Sequence, residues 1–319
     1  MSDQISTDII RSLDNKKDLK PVADLIEACF IYQMDPDGKA YIDQLRLAVN
    51  DRSRQGVFPI CGMQISYPIH GFVWEEAGNI IGNATIIPHR YDGKWYFLIA
   101  NVAVHPDHRG RGIGRLLTLK AIDYLKAYHV PAVWLQVRDD NLVACNLYRS
   151  LGFNERIRRT TWISTDQPTN SGKMDNELTL DNSTTNDWAD HHRWLLRTYP
   201  PQVTWYLPFE ISTFKPGPLP RILRIINGKL SATWVIRCQG KMIGAATWQA
   251  TTLYADLIWL AVDNGYENRA VEILLNNRKN RVPSERPIMI NYPALKAVGA
   301  FHQAGFKHHN SLIWMEKRL

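Results

Sequence analysis

At 319 residues the chain exceeds the usual size of one domain, about 150 residues, so two globular units are expected. Hydrophobic residues make up 45% and charged residues 22%, which excludes a disordered or fibrous protein; no run approaches the roughly 20 apolar residues of a membrane span, and the first residues lack an apolar leader, so a cytoplasmic protein with no membrane partner is expected. The formal charge of +7 leans toward the C-terminal half without a nucleic-acid motif, and the four cysteines form no CxxC pair or His–Cys ligand spacing, so neither a nucleic-acid partner nor a metal is expected.

In chain order, the pattern predicts a strand near 8–13 and helices near 19–30 and 38–50. Strands follow at 69–75 and 79–88, joined by a hairpin turn at Glu76-Ala77-Gly78-Asn79, and then at 95–104, whose second part is apolar and β-branched. A helix starts near Gly112, with Ile113, Leu116, Leu117, Ile122, Leu125 and Tyr128 close to one stripe. A strand at 132–137 and a helix at 142–151 complete the first unit. The alternation gives an α/β or α+β class. Residues 166–176, rich in Asp, Asn, Ser, Thr, Pro and Gly, read as a linker between a unit at 1–165 and one at 177–319.

The most specific segment is VAVHPDHRGRGIGRLL, residues 102–117, in which a strand runs through Arg109-Gly110-Arg111-Gly112-Ile113-Gly114 into a helix. Glycines at alternate positions cost conformational entropy, so their backbone freedom is expected to be used. Without Cβ atoms the main chain can approach an anion, and the helix start offers unpaired N–H groups and a positive dipole end. Arg109, Arg111 and Arg115 add charge. A diphosphate is the natural ligand. The glycines run GxGxG, not the GxGxxG of a dinucleotide fold, and no Lys-Ser or Lys-Thr pair follows as in a nucleoside triphosphate loop.

This segment resembles the acyl-CoA pyrophosphate signature of the GCN5-related N-acetyltransferase (GNAT) superfamily, Arg/Gln-x-x-Gly-x-Gly/Ala, through Arg109, Gly112 and Gly114. Asn141, Ala144, Tyr148 and Gly152-Phe153 are similar to its second motif. The resemblance implies two tandem GNAT-like domains, each a mixed, splayed sheet flanked by helices, and an acetyl-CoA-dependent N-acetyltransferase acting on a small-molecule amine or a peptide. It further implies that residues 109–115, Ile113 included, hold the diphosphate. Acetyl-CoA would meet backbone groups of Val102, Ala103 and Val104, Tyr148 would protonate the departing thiolate, and Asn141 would bond the cosubstrate or a water. Asn141 also reads as a helix cap whatever the function. Several family members carry a glutamate early in the strand that reads WYFLIANVAV here; no carboxylate stands there, so the general base is unassigned, and Asn101 is a candidate to hold a water in its place.

The second half repeats the plan. GNIIGNAT (78–85) matches GKMIGAAT (240–247), Val102-Ala103-Val104 matches Leu260-Ala261-Val262, and Leu151-Gly152-Phe153 matches Ala304-Gly305-Phe306, all in the same order. Its chemistry is absent: Glu267 stands at the place of Arg109, Ala270 at Gly112, Glu272 at Gly114, Ala294 at Asn141 and Phe301 at Tyr148. Carboxylates would repel a diphosphate at close range, so this half is expected not to catalyse. Most of the eleven tryptophans lie in it and are expected to serve its core, with Trp314 the counterpart of Trp162. The adjacent pairs His191-His192 and His308-His309 read as solvated, since neighbours point apart.

Overall fold

A computed structural model describes residues 9–48, 57–60, 63–66, 69–164, 177–226, 228 and 230–319. The chain forms two compact units, of which only the second is a single contiguous stretch. Unit 1 comprises the chain up to Arg156 together with Ile313–Leu319, and unit 2 comprises Ile157–Leu312. This differs from the division expected from the sequence. The proposed linker, 166–176, lies outside the described residues.

The first half contains β1 (Ile9–Ser12), α1 (Leu19–Phe30), α2 (Pro36–Ala48), β2 (Val57–Ile60), β3 (Met63–Ser66), β4 (His70–Glu76), β5 (Asn79–Tyr91), β6 (Lys94–Val104), α3 (Ile113–Ala127), β7 (Ala132–Arg138), α4 (Leu142–Ser150) and β8 (Asn154–Ser164). The second contains β9 (Leu178–Asn182), α5 (Trp188–Thr198), α6 (Pro201–Thr204), α7 (Pro218–Ile226), β10 (Ser231–Cys238), β11 (Lys241–Gln249), β12 (Asp256–Val262), α8 (Glu267–Asn276), β13 (Ile288–Pro293), α9 (Val298–Gln303) and β14 (Lys307–Arg318). Among the described residues no helix is long and apolar enough to cross a membrane.

Unit 1 is a mixed sheet in the order β1-β4-β5-β6-β7, with the last residues of β14 beside β7. Strands β4 to β6 are antiparallel, whereas β6 and β7 are parallel over Leu98↔Trp134 and Ile99↔Leu135 alone. Beyond those pairs the two strands part. Helix α3 buries Ile113, Leu117, Ala121, Ile122 and Leu125 against the sheet, in the spacing of one helical face. Its approach depends on Gly82, where a Cβ would come within 2.9 Å of both Ile113 and Leu117. Ile313 and Met315 of β14 lie in the same core, and the Leu319 N–H donates to the Pro131 carbonyl at 3.2 Å.

Unit 2 reproduces this frame. The order is β9-β10-β11-β12-β13-β8, with the first residues of β14 beside β8. Strands β12 and β13 are parallel over Asp256↔Ile288 and Leu257↔Met289 before they part. The copies match in detail. Ala77 and Gly78 turn the β4–β5 hairpin at φ 48° and 81°, and Gln239 and Gly240 turn β10–β11 at the same angles, as a two-residue turn with both φ positive requires. Each hairpin also shifts register at the same place, between Trp74 and Glu75 and between Ile236 and Arg237. Gly244 repeats the role of Gly82, since a Cβ there would lie 3.2 Å from Ala270 of α8. The tryptophan counterparts serve different units: Trp162 stacks on Phe301 in unit 2 at 4.7 Å, while Trp314 meets Trp134 edge-on in unit 1.

Candidate active site

The site of unit 1 begins where β6 ends. The His105 N–H donates to the Ile81 carbonyl, a short turn spans Pro106–His108, and Arg109 to Gly112 lead into α3. Gly110 and Gly112 both adopt φ 78°, and a Cβ on either would meet nothing within 4 Å. The requirement there is conformational, since a left-handed backbone costs an ordinary residue roughly 1–2 kcal/mol. Gly114 is different. Its φ is ordinary and a Cβ would rest 3.6 Å from Val104, a normal contact. The fold itself therefore tolerates a larger residue at Gly114, and its smallness leaves the first turn of α3 uncovered around Ile113 and Arg115, where N–H groups lack partners within the helix.

The three arginines are differently engaged. The Arg109 Nε donates to the Val104 carbonyl at 3.2 Å, and Arg115 donates to the Ser150 hydroxyl at 2.8 Å. Arg111 is paired with Glu76 at 2.8 Å and donates to the His108 Nδ1 at 2.8 Å. Because a guanidinium can only donate, the His108 Nδ1 is the acceptor of that bond. Val104 O also takes the Cys29 thiol of α1 at 3.3 Å; burial pushes that thiol up, with Arg109 partly opposing the shift. Glu76 and Cys29 carried no signal in the sequence, because each reaches the loop from a distant strand or helix.

Upstream of Val102, Ala103 and Val104 lies a β-bulge. The β5–β6 pairing runs Ile86↔Ile99 and Thr85↔Ala100, then resumes at Asn83↔Ala103, so Asn101 and Val102 together face one residue of β5. Asn101 sits at φ 51°, as the first residue of such a bulge does in one common form. Two side chains hold it directly. Asn83, fully buried, donates from Nδ2 to the Asn101 carbonyl at 2.9 Å and to the Thr85 hydroxyl at 3.1 Å, and the Asn101 Nδ2 donates to the Tyr41 hydroxyl of α2 at 3.0 Å. Asn101 is thus bonded to protein groups on both its amide and its carbonyl. The sequence offered Asn101 as a possible water holder and did not reveal Asn83 or Tyr41.

Helix α4 brings the second motif to the same core. Tyr148 is buried with Val102, Val104 and Ile113, and lies edge-on to Phe153 at 6.0 Å. Burial raises its phenol well above the usual range, so it is protonated at neutral pH. Leu147 reaches the start of α3, where a Cβ on Gly114 would lie 3.8 Å from it. Asn141 is exposed, and its Oδ1 accepts from the Ala144 N–H at 3.1 Å. It is a helix cap, one of the two roles open to it. A separate cavity of about 480 Å³, lined by Trp95, Phe97, Tyr124 and Tyr128 among others, opens at the far end of α3 and shares no residue with this group.

The corresponding place in unit 2 is filled. Pairing of β11 with β12 runs without a break from Gly244↔Val262 to Gln249↔Leu257, so there is no bulge. The Tyr199 hydroxyl accepts from the Leu260 N–H at 3.1 Å, at the position that Val102 holds in unit 1. Arg159, fully buried, stands 4.9 Å over the Tyr199 ring and donates to Asn291 Oδ1 at 2.5 Å, to the Asn291 carbonyl at 2.9 Å and to the Thr198 carbonyl at 2.7 Å. Burial pushes its guanidinium down to about 10. Glu267, in the place of Arg109, accepts from the Tyr292 hydroxyl at 2.9 Å. One reading from the sequence is corrected here: His191 is not solvated but fully buried, with neither ring nitrogen bonded, and burial pushes it down to about 4.

The chain has similar counterparts among known proteins. Residues 34–153 match the model of the acetyltransferase (GNAT) family. A stretch of 67 residues is 48% identical to the ribosomal protein bS18-alanine N-acetyltransferase of Escherichia coli strain K12, covering 21% of this chain and 45% of that protein. Mycothiol acetyltransferase from Thermobifida fusca is 38% identical over 85 residues, 27% of this chain and 24% of that protein. The chain thus spans less than half the length of these curated relatives. Among solved structures, a GCN5-related N-acetyltransferase from Sphaerobacter thermophilus superposes with a TM-score of 0.56 at 16% identity, over 98% of this chain and 95% of that one. A tandem GNAT protein from the clavulanic acid biosynthesis pathway gives 0.51 at 15% identity over 98% of both chains. At such identities the likeness is one of fold, and it extends over both units. Residues 34–153 accordingly form a domain of the acetyltransferase (GNAT) family, within a chain that has the tandem form of that fold.

Proposed function

We propose that the protein is an acetyl-CoA-dependent N-acetyltransferase in which unit 1 catalyses transfer to a primary amine, of a small molecule or a peptide, by direct attack within a ternary complex. The observation that carries this reading is the bulge at Asn101, standing beside an anion-binding loop and a protonated Tyr148. The loop from Arg109 to Arg115 holds the diphosphate through backbone N–H groups, and Arg109 and Arg115 neutralise its charge. Main-chain N–H groups of Val102 to Val104 polarise the acetyl carbonyl and stabilise the oxyanion that develops on attack. Tyr148 then gives its proton to the departing thiolate and is reprotonated as the new amide nitrogen sheds its own proton to solvent. Asn141 keeps the start of α4 in place, and its free amide edge faces outward to bond the cosubstrate. Unit 2 serves as a noncatalytic partner domain.

No carboxylate stands on β6 to take the amine proton, so the acceptor reacts in its neutral form. The rate is expected to rise with pH until the acceptor's own ammonium has titrated. Free-thiol release from acetyl-CoA, followed with a panel of polyamines, amino acids, aminoglycosides and peptide N-termini, tests the proposal. Release above buffer with at least one acceptor is the expected result. Binding of acetyl-CoA without release for any acceptor would make the protein a binding or scaffold module instead.

A further inference from the structure

We infer that Asn83 and Tyr41 are positioning residues for the proposed transfer: they clamp Asn101 from two sides, and so fix the direction of the main-chain N–H groups that follow it. The inference rests on the reading of unit 1 as an acetyltransferase and adds to it residues outside both sequence motifs. Three observations support it. Asn101 is in the left-handed region, which Asn enters more readily than other residues carrying a Cβ but at some cost, so the bulge needs external support. That support is polar, buried and directional. Asn83 is wholly inside the protein, and both of its donor hydrogens are used, one on the Asn101 carbonyl and one on Thr85.

This choice of partners fixes the amide, because Nδ2 must face two acceptors and Oδ1 is left without a bonded partner. A buried amide half-satisfied in this way is a poor choice for stability alone. Tyr41 provides the second grip, from helix α2 onto the Asn101 side chain, and is itself 5% exposed. The frame itself does not impose a bulge, since the β11–β12 ladder of unit 2 is uninterrupted. At the position corresponding to Asn83 unit 2 has Ala245, and Leu260 alone stands where Asn101 and Val102 together face β5. The clamp and the bulge are absent together.

The test reads the carbonyl directly and needs no acceptor. Isotope-edited infrared spectra of acetyl-CoA labelled with ¹³C at the acetyl carbonyl, bound to the full chain, should show a stretch below that of the free thioester. Tyr41→Phe and Asn83→Leu should return the band toward the free value while affinity for acetyl-CoA stays within about threefold of wild type, since the diphosphate loop is untouched. Asn101→Gly keeps the backbone angle without strain but drops the tether, and should behave as Tyr41→Phe does. With an accepting amine, kcat should fall about tenfold with KM for acetyl-CoA unchanged, a fraction of what removing an oxyanion donor outright costs. A shifted band in the wild type that Tyr41→Phe and Asn101→Gly leave in place would overturn the clamp, and so would an unshifted wild-type band. Failure of the wild type to bind acetyl-CoA at all would instead remove the functional reading on which the clamp rests. If Asn83→Leu does not fold, the other two variants decide.

Discussion

The two units share a hairpin turn, a register shift, a close-packing glycine and a parting pair of parallel strands, yet only one leaves its central strand open. In β12 every residue from Asp256 to Val262 is buried, whereas in β6 Ala100, Asn101, Val102 and Val104 remain half-exposed. The difference comes from what stands in the gap. Unit 2 places the Tyr199 hydroxyl on the Leu260 N–H and a buried arginine behind it. Unit 1 spends its polar groups on holding a bulge. The same frame can thus close its cleft with its own side chains or leave its central strand half-exposed.

Gly112→Glu should break the contrast most completely. It forces a left-handed angle on a residue with a side chain and puts a carboxylate where a diphosphate would sit, so acetyl-CoA affinity measured by calorimetry should fall by roughly a hundredfold or more. Glu267→Arg, the reverse change in unit 2, should leave the stoichiometry at one acetyl-CoA per chain. Acid should act on unit 2 through His191. Its pKa is depressed to about 4 in the folded chain against an ordinary value of 6.5, so the unfolded state binds the extra proton below pH 6.5. Stability is then lost as pH falls from 6.5 toward 4, by up to about 3 kcal/mol. Melting curves of wild type and His191→Leu should converge in their pH dependence only above pH 7.

Tyr148→Phe comes next. It should slow thiol release by about ten- to a hundredfold with little change in acetyl-CoA affinity, while Phe301→Tyr in unit 2 should add no activity. Tyr199→Phe leaves the Leu260 N–H buried without its partner and should cost about 1–3 kcal/mol in urea unfolding. Thiol release should be unaffected. The smallest effect is expected for Glu76→Gln, which frees Arg111 from its ion pair. Affinity for acetyl-CoA should rise about threefold at low salt, and the gain should vanish as salt screens it.

Much of the frame was legible because it depends on local chemistry. Paired positive φ values suit residues such as Ala77-Gly78 and Gln239-Gly240 at a hairpin, and the glycine loop at 110–114 marks the passage from strand β6 to helix α3 without any tertiary knowledge. The repeat could be read for the same reason. What escaped the sequence depends on partners far along the chain. The run NERIRRTTWIS is charged at its start and gives no period-two signal strong enough to mark β8, whose pairing with β13 is set by residues more than a hundred positions away. Asn83 looks like any polar residue in a strand, and Tyr41 like any aromatic in an amphipathic helix; only the bulge gives them a common target. His191 misled because a histidine with both nitrogens unbonded inside a core is unfavourable, and the helix pattern alone does not reveal which face is covered.

The placement of Ile313–Leu319 in unit 1 has a consequence for biosynthesis. A ribosome translating this message releases the catalytic-type motifs early, but the hydrophobic interior to which they belong still lacks Ile313 and Met315. That interior must wait, incomplete and exposed to chaperones or proteases, until those residues of β14 have been made. Severing the gene between its two halves would therefore deprive each product of a piece of its own sheet.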